Sequence, residues 1–107
     1  MQPNEISPAD AFSHLNNPDS CFLDMRDRNS HESAHIPNSH HLTDQSVQEI
    51  LDSTPLDSTV IVYCYHGNSS LMAAAWLKEQ GYSRVFSMSG GFKSWRSIHS
   101  EHIATSK

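Results

Sequence analysis

The fold follows from one stretch, Thr59-Val60-Ile61-Val62-Tyr63-Cys64-Tyr65-His66-Gly67-Asn68-Ser69-Ser70. Thr59–Tyr63 is continuously apolar or β-branched, the pattern of a parallel strand buried on both faces. A short polar loop with one glycine comes next. Ser70 to Gln80 then carries Leu, Met and Ala with helical character, and Gly81 supplies the stop. Strand, tight loop and helix in that order are the core of an α/β unit.

Working outward, the same alternation recurs. Asn4–Ile6 is a short first strand. Ser7-Pro8-Ala9-Asp10 opens a helix, with Ser7 as cap, Pro8 in the first turn and Asp10 placed for the dipole. That helix ends before Asn16-Asn17-Pro18. Cys21–Met25 is a second strand. Residues 26–39 are polar and irregular, with at most a turn or two of helix. His40-His41-Leu42 is a brief strand, and Thr43 or Asp44 caps a helix bearing Val47, Ile50 and Leu51 on one face until Pro55. Arg84–Met88 is the last strand, Ser89-Gly90-Gly91 a turn, and Phe92–Ile98 the last helix. Residues 100–107 are expected to fray. The expectation is a single α/β domain over residues 1–107 with a mainly parallel sheet.

Composition narrows the function classes. The chain has 107 residues, enough for one domain. Its formal charge is −5, with no basic run, which argues against nucleic acid as partner. Mean hydropathy is −0.54, and no apolar run nears the roughly 18 residues of a membrane span. The N-terminus lacks a basic and then apolar leader, so a cytoplasmic address is expected. Cys21 and Cys64 form no disulfide framework.

Cys64 stands where α/β sheets place their reaction sites, beyond the carboxyl end of a strand. A loop running into a helix N-terminus turns successive amides inward and adds the positive end of the dipole. Gly67 supplies a positive φ, and Asn68 tolerates one. Ser69 and Ser70 offer hydroxyls to the cavity or cap the helix. All of these donors favour a thiolate, so Cys64 is expected to be an activated nucleophile rather than a packed small hydrophobe. Cys21 opens a strand without such a loop and is read as an inert thiol.

The segment Cys64-Tyr65-His66-Gly67-Asn68-Ser69-Ser70 resembles the active-site loop of the rhodanese domains, in particular those of single-domain bacterial type. Three further segments resemble the family in chain order. They are Leu23-Asp24-Met25-Arg26-Asp27, Ala34-His35-Ile36-Pro37-Asn38-Ser39, and Val85 through Phe92 with Trp95. The resemblance implies a five-stranded parallel sheet with helices on both faces. It also implies sulfur transfer from thiosulfate through a Cys64 persulfide, with Tyr65, His66, Gly67, Asn68, Ser69 and Ser70 lining the substrate site. The acceptor would be cyanide, or a dithiol such as reduced thioredoxin or dihydrolipoate, and neither metal nor organic cofactor is called for. Many family loops carry Arg where Tyr65 stands and Arg or Thr where Ser69 stands. Ala34 and Asn38 replace two family glycines. The chemistry asks for no general base, so His66 is read as a loop residue. Arg26 is expected to form a surface ion pair with Asp24 or Asp27, the alternative being that it attracts the anionic donor.

Rival chemistries have weaker footing. His31-Glu32-Ser33-Ala34-His35 matches H-E-x-x-H, but Asn29-Ser30 before it and Ile36-Pro37 after it do not make the helix that motif requires. A phosphatase or arsenate-reductase loop needs arginine six residues after its cysteine, and that position is Ser70. A non-enzymatic interaction module of the same fold would not need the cysteine that is present here.

Overall fold

The computed structural model describes residues 4–106. Its strands are β1 Glu5–Ile6, β2 Ser20–Asp24, β3 His40–His41, β4 Thr59–Tyr63 and β5 Arg84–Met88. They form one all-parallel sheet in the order β1-β5-β4-β2-β3. The helices are α1 Pro8–Phe12, α2 Arg28–Ser33, α3 Val47–Ser53, α4 Ser69–Glu79 and α5 Gly91–Ile98. Among the described residues no helix is long and apolar enough to cross a membrane.

Strand β4 is central, and all five of its residues are buried. Successive side chains leave a strand on opposite faces, so its apolar run supplies two cores at once. Val60 and Val62 join Leu23 and Val85 against Ile50 of α3 and Ala74 and Leu77 of α4. Ile61 and Tyr63 join Phe22 and Met88 against Ala11 of α1 and Phe92 and Trp95 of α5. Helices therefore cover both faces, and a strand patterned this way fits only the interior of the sheet.

The signals of α1 act where the sequence places them, whereas α3 begins at Val47 with Ser46, not Thr43 or Asp44, at its N-cap. Ser7 Oγ accepts the Asp10 amide at 3.1 Å, and Pro8 fills the first turn of α1. Asp27 caps α2, accepting from the Ser30 amide at 3.1 Å. Asn38 takes φ +67, a conformation asparagine tolerates. Ala34 is extended at φ −166 and needs no glycine.

The expected fraying of residues 100–107 is corrected for residues 100–106; Lys107 lies outside the described residues. His35 and Ala104 form an antiparallel bridge through both amides, at 2.9 and 2.8 Å. The Ser106 amide donates to Glu32 O at 3.0 Å, and Trp95 Nε1 donates to His102 O at 2.9 Å. The segment is polar apart from Ile103 and Ala104, so its order comes from backbone bonds to remote residues, which local patterning does not encode.

Candidate active site

The register sets the site. Val62 lies beside Ser87, and Asp24 beside Tyr63, so β2, β4 and β5 bring their last residues to one edge of the sheet. Cys64 follows Tyr63 at that edge and is 7% exposed. The chain then turns through 65–68 into α4. Gly67 makes the turn at φ +95.

Helix α4 has no side-chain cap: the side chain of Asn68 at the N-cap position bonds none of its amides, and Ser69 and Ser70 lie inside the helix rather than capping it. The Cys64 sulfur stands in for the missing cap. Sγ accepts the Gly67 amide at 3.1 Å and the Ser70 amide at 3.4 Å, with Ser70 Oγ also 3.4 Å away. Burial by itself pushes the thiol up. The Ser70 hydroxyl and the Ser70, Gly67 and Ser69 amides outweigh it, and Cys64 lies below an ordinary cysteine. Cys21 behaves oppositely: it is half-buried, and burial raises its thiol despite a bond to Thr54. In register it sits beside Val60, four residues before Cys64 and hence about 13 Å along the strand, too far for a disulfide.

The first turn of α5 braces the loop. The Phe92 amide donates to Cys64 O at 2.8 Å and the Lys93 amide to Tyr65 O at 3.1 Å. This approach is close enough to require glycine, since a Cβ on Gly91 would lie 2.5 Å from Tyr65 O and 2.6 Å from Cys64 O. One built on Gly67 would lie 2.8 Å from Gly90 N.

The remaining loop side chains face outward. Tyr65 and His66 are exposed, with ring centroids 4.9 Å apart, and Ser69 is exposed as well. Two shallow cavities flank them. One, about 280 Å³, is lined by Tyr65, Phe92 and Arg96 with residues of α2. The other, about 380 Å³, is lined by His66, Gly90 and Lys93 with residues of α5. A larger depression of about 840 Å³ lies over Met25–Arg28 and His41–Ser46, with no loop residue in its wall.

Arg26 is paired as expected, with Asp24, but in the interior rather than at the surface. Nη2 donates to Asp24 Oδ2 and to Ala34 O, each at 2.6 Å, and Nε to Asp24 Oδ1 at 3.0 Å. The guanidinium lies over the Phe92 ring, 4.1 Å from its centroid. Tyr63 Oη donates to Asp24 Oδ2 at 3.1 Å, and His31 Nδ1 lies 2.8 Å from the same oxygen. Burial pushes the Asp24 carboxyl up, but the bonds from Arg26 and His31 prevail and hold it below its usual range. Burial lowers His31, which Asp24 only partly offsets.

The H-E-x-x-H match does not form a zinc helix. Helix α2 ends at Ser33, and His35 is extended in its bridge to Ala104. His31 stacks on His35 and His41 at 4.2 and 4.9 Å. Their nitrogens engage Asp24, His31 O and Arg26 O, and among the described residues no group of three His, Cys, Asp or Glu is placed to hold a metal.

Two features escaped the sequence reading. The bracing amides of α5 leave no signal beyond the Gly90-Gly91 pair. Ser87, whose Oγ lies 2.7 Å from Ser70 Oγ, is fully buried. Its one trace is a lone hydroxyl inside the apolar run Val85-Phe86-Ser87-Met88.

A parallel α/β sheet that ends its central strand in a cysteine held by loop amides and a helix N-terminus defines the class of cysteine-loop α/β domains. The sequence profile described as "Rhodanese-like domain" matches residues 7–98. The chain is 39% identical over 103 residues to the thiosulfate sulfurtransferase GlpE of Pseudoalteromonas translucida, covering 96% of this chain and 98% of that protein. It is 46% identical over 78 residues to the protein of the same name from Pseudomonas syringae pv. syringae, covering 73% and 74%. Among solved structures, a rhodanese-related protein from Thermoplasma volcanium superposes with a TM-score of 0.75 at 25% identity, over 90% of this chain and 93% of that one. The chain belongs to the rhodanese-like family.

Proposed function

We propose that this protein is a thiosulfate sulfurtransferase in which Cys64 carries the sulfur. One observation bears most of the weight: Cys64 Sγ sits at the N-terminus of α4 with amide donors on it and a lowered pKa. The resemblance to relatives named for that activity supports the substrate.

The steps follow from charge. The Cys64 thiolate attacks the outer sulfur of thiosulfate. The bond from that sulfur to the sulfonate breaks, and its electron pair leaves with sulfite. Cys64 then holds a persulfide, whose charge rests on the outer sulfur within the reach of the loop. Cyanide, or a thiolate of a dithiol such as reduced thioredoxin or dihydrolipoate, bonds to the outer sulfur, and the pair of the S–S bond returns to Sγ. Nucleophile and leaving group are anionic in both halves, so no proton need move and His66 need not act as a base. The loop donors stabilise the negative charge throughout. Gly67 and Ser70 bind the inner sulfur, while Tyr65, His66, Asn68 and Ser69 form the mouth that receives the donor.

The test is direct. The protein is incubated with thiosulfate, freed of excess, and its intact mass recorded before and after cyanide. One added sulfur that cyanide removes, and that Cys64→Ser never acquires, is expected. An unmodified mass under conditions where the protein is folded would overturn the proposal.

A further inference from the structure

The sulfur of Cys64 ends a buried chain of hydroxyls that begins on a neighbouring strand. Ser87 Oγ lies 2.7 Å from Ser70 Oγ, which lies 3.4 Å from Cys64 Sγ. Ser70 and Ser87 are both fully buried. Among the described residues, Ser70 Oγ is the one hydrogen-bond partner of Ser87 Oγ.

We infer that Ser87 is a positioning residue: it turns the Ser70 hydroxyl proton toward Cys64 and makes the cysteine sulfur a better leaving group when the persulfide is discharged. The inference rests on the sulfurtransferase reading above.

Counting protons fixes the direction. The chain Sγ, Oγ of Ser70, Oγ of Ser87 has two contacts. With a thiol it holds three protons, so one has no acceptor. With a thiolate it holds two, and both are placed. The Ser87 proton has only Ser70 Oγ to go to, and the Ser70 proton is then left to point at sulfur. Without the Ser87 hydroxyl, Ser70 has no neighbour holding its proton in that direction. A buried hydroxyl left without a partner is costly, so the arrangement favours the charged sulfur.

The consequence differs between the two halves of the reaction. In the persulfide the inner sulfur is bonded to carbon and to sulfur, and is uncharged, so the Ser70 proton gains little there. During discharge the acceptor bonds to the outer sulfur, the S–S bond breaks, and its electron pair moves onto Sγ, where the donor is already aimed. The contact strengthens as the transition state is approached, which is the condition for acceleration. The same stabilisation makes the free thiolate a weaker nucleophile, since nucleophilicity falls as thiol pKa falls.

The experiment uses Cys21→Ser protein, so that Cys64 is the one thiol read. The rate of alkylation by iodoacetamide is followed from pH 4 to 10, giving a midpoint and a limiting rate. Discharge of preformed persulfide by cyanide is followed in a single turnover. Ser87→Ala is expected to raise the midpoint by about half a pH unit, a threefold change in proton affinity. Its limiting alkylation rate should rise about 1.5- to 2-fold. Its discharge should slow by about two- to threefold, since the stabilisation lost is realised on the leaving sulfur. In a Ser70→Ala background, Ser87→Ala should change none of these, because Ser87 acts only through Ser70. Ser87→Thr and Ser87→Val, matched in size, supply a second comparison should Ala disturb packing: Thr should stay near wild type and Val should follow Ala. A midpoint that moves by less than about 0.1 unit overturns the inference, as does an equal shift in the Ser70→Ala background or a Thr variant that behaves as Val does. The midpoint is read without sulfur transfer. Absence of any persulfide on the parent protein would therefore defeat the sulfurtransferase reading while leaving the hydroxyl chain decided on its own terms.

Discussion

Replacing Gly67 by alanine should strike fold and chemistry together. Its φ of +95 disfavours any L side chain, at about 1–2 kcal/mol. The new Cβ would sit 2.8 Å from Gly90 N, 3.3 Å from Met88 O and 3.4 Å from Gly91 N, all backbone atoms. That backbone has little freedom: the Ser89 amide is bound to Ile6 O at 2.8 Å and the Phe92 amide to Cys64 O at 2.8 Å. Overpacking of this kind costs about 1–3 kcal/mol. Together the two amount to about 3 kcal/mol, or a Tm lowered by roughly 10–15 °C for a domain of this size. Relief by moving the loop would lengthen the 3.1 Å bond from the Gly67 amide to Sγ. Donors to a charged group are worth about 1.5–3 kcal/mol, so losing this one should raise the Cys64 alkylation midpoint by about one pH unit or more. Valine, with its branched Cβ, should be worse. Gly81→Ala is the control. Its φ is also positive, at +112, but its Cβ would meet only the Leu56 side chain, so it should lower Tm and leave the thiol alone. Calorimetry and pH-dependent alkylation measure both effects. A Gly67→Ala protein that melts within about 2 °C of wild type with an unshifted midpoint would refute the reasoning.

Three further outcomes are expected. Cys64→Ser should abolish sulfur transfer to cyanide while Cys21→Ser keeps most of it; a folded Cys21 variant without activity beside an active Cys64 variant would reverse the assignment. Because Tyr65 and Ser69 are exposed at the mouth and Arg26 is committed to Asp24, Tyr65→Arg or Ser69→Arg should lower the KM for thiosulfate up to about tenfold, as one charge-assisted contact allows, with little change for cyanide; steady-state kinetics showing no change in either variant would mean that charge there does not limit donor binding. Asp24→Asn leaves the Arg26 guanidinium buried without its carboxylate and should cost about 3–5 kcal/mol, read by urea unfolding. The depressed Asp24 carboxyl contributes its stability in full above the unfolded pKa of about 4 and loses it as pH falls through the lower folded value, and the lowered His31 adds a loss beginning below about 6.5. Melting temperatures from pH 8 to 3 should therefore fall in acid for wild type and flatten at the acid end for Asp24→Asn.

The strands β4 and β5 have the limits their residues predict, Thr59–Tyr63 and Arg84–Met88, because apolar runs bounded by polar loops leave few choices of end. The Gly67 turn and the amides beside Cys64 were legible for a related reason: a loop of five residues between a strand and a helix has few ways to close, and its chemistry lies within one stretch of sequence. What spans the sheet was not. Arg26 could have paired at the surface with either neighbouring acid, and only the docking of Phe92, Tyr63 and the Ala34 carbonyl around it makes that pair internal. The tail at 100–106 has almost no apolar pattern and is ordered by carbonyls and amides of residues about 70 positions away. Ser87 lies 23 residues beyond Cys64 and touches the site only because β5 pairs with β4 in the register that sets Ser87 beside Val62. The sequence by itself determined the order of elements and the two-sided burial of β4, and it singled out Cys64 as the candidate nucleophile, since each depends on residues near one another in the chain. Tertiary structure alone decided which hydroxyl, guanidinium and backbone amide come to stand behind that nucleophile, because a hydrogen bond is short and directional, and whether two distant groups come within 3 Å depends on strand register and helix docking.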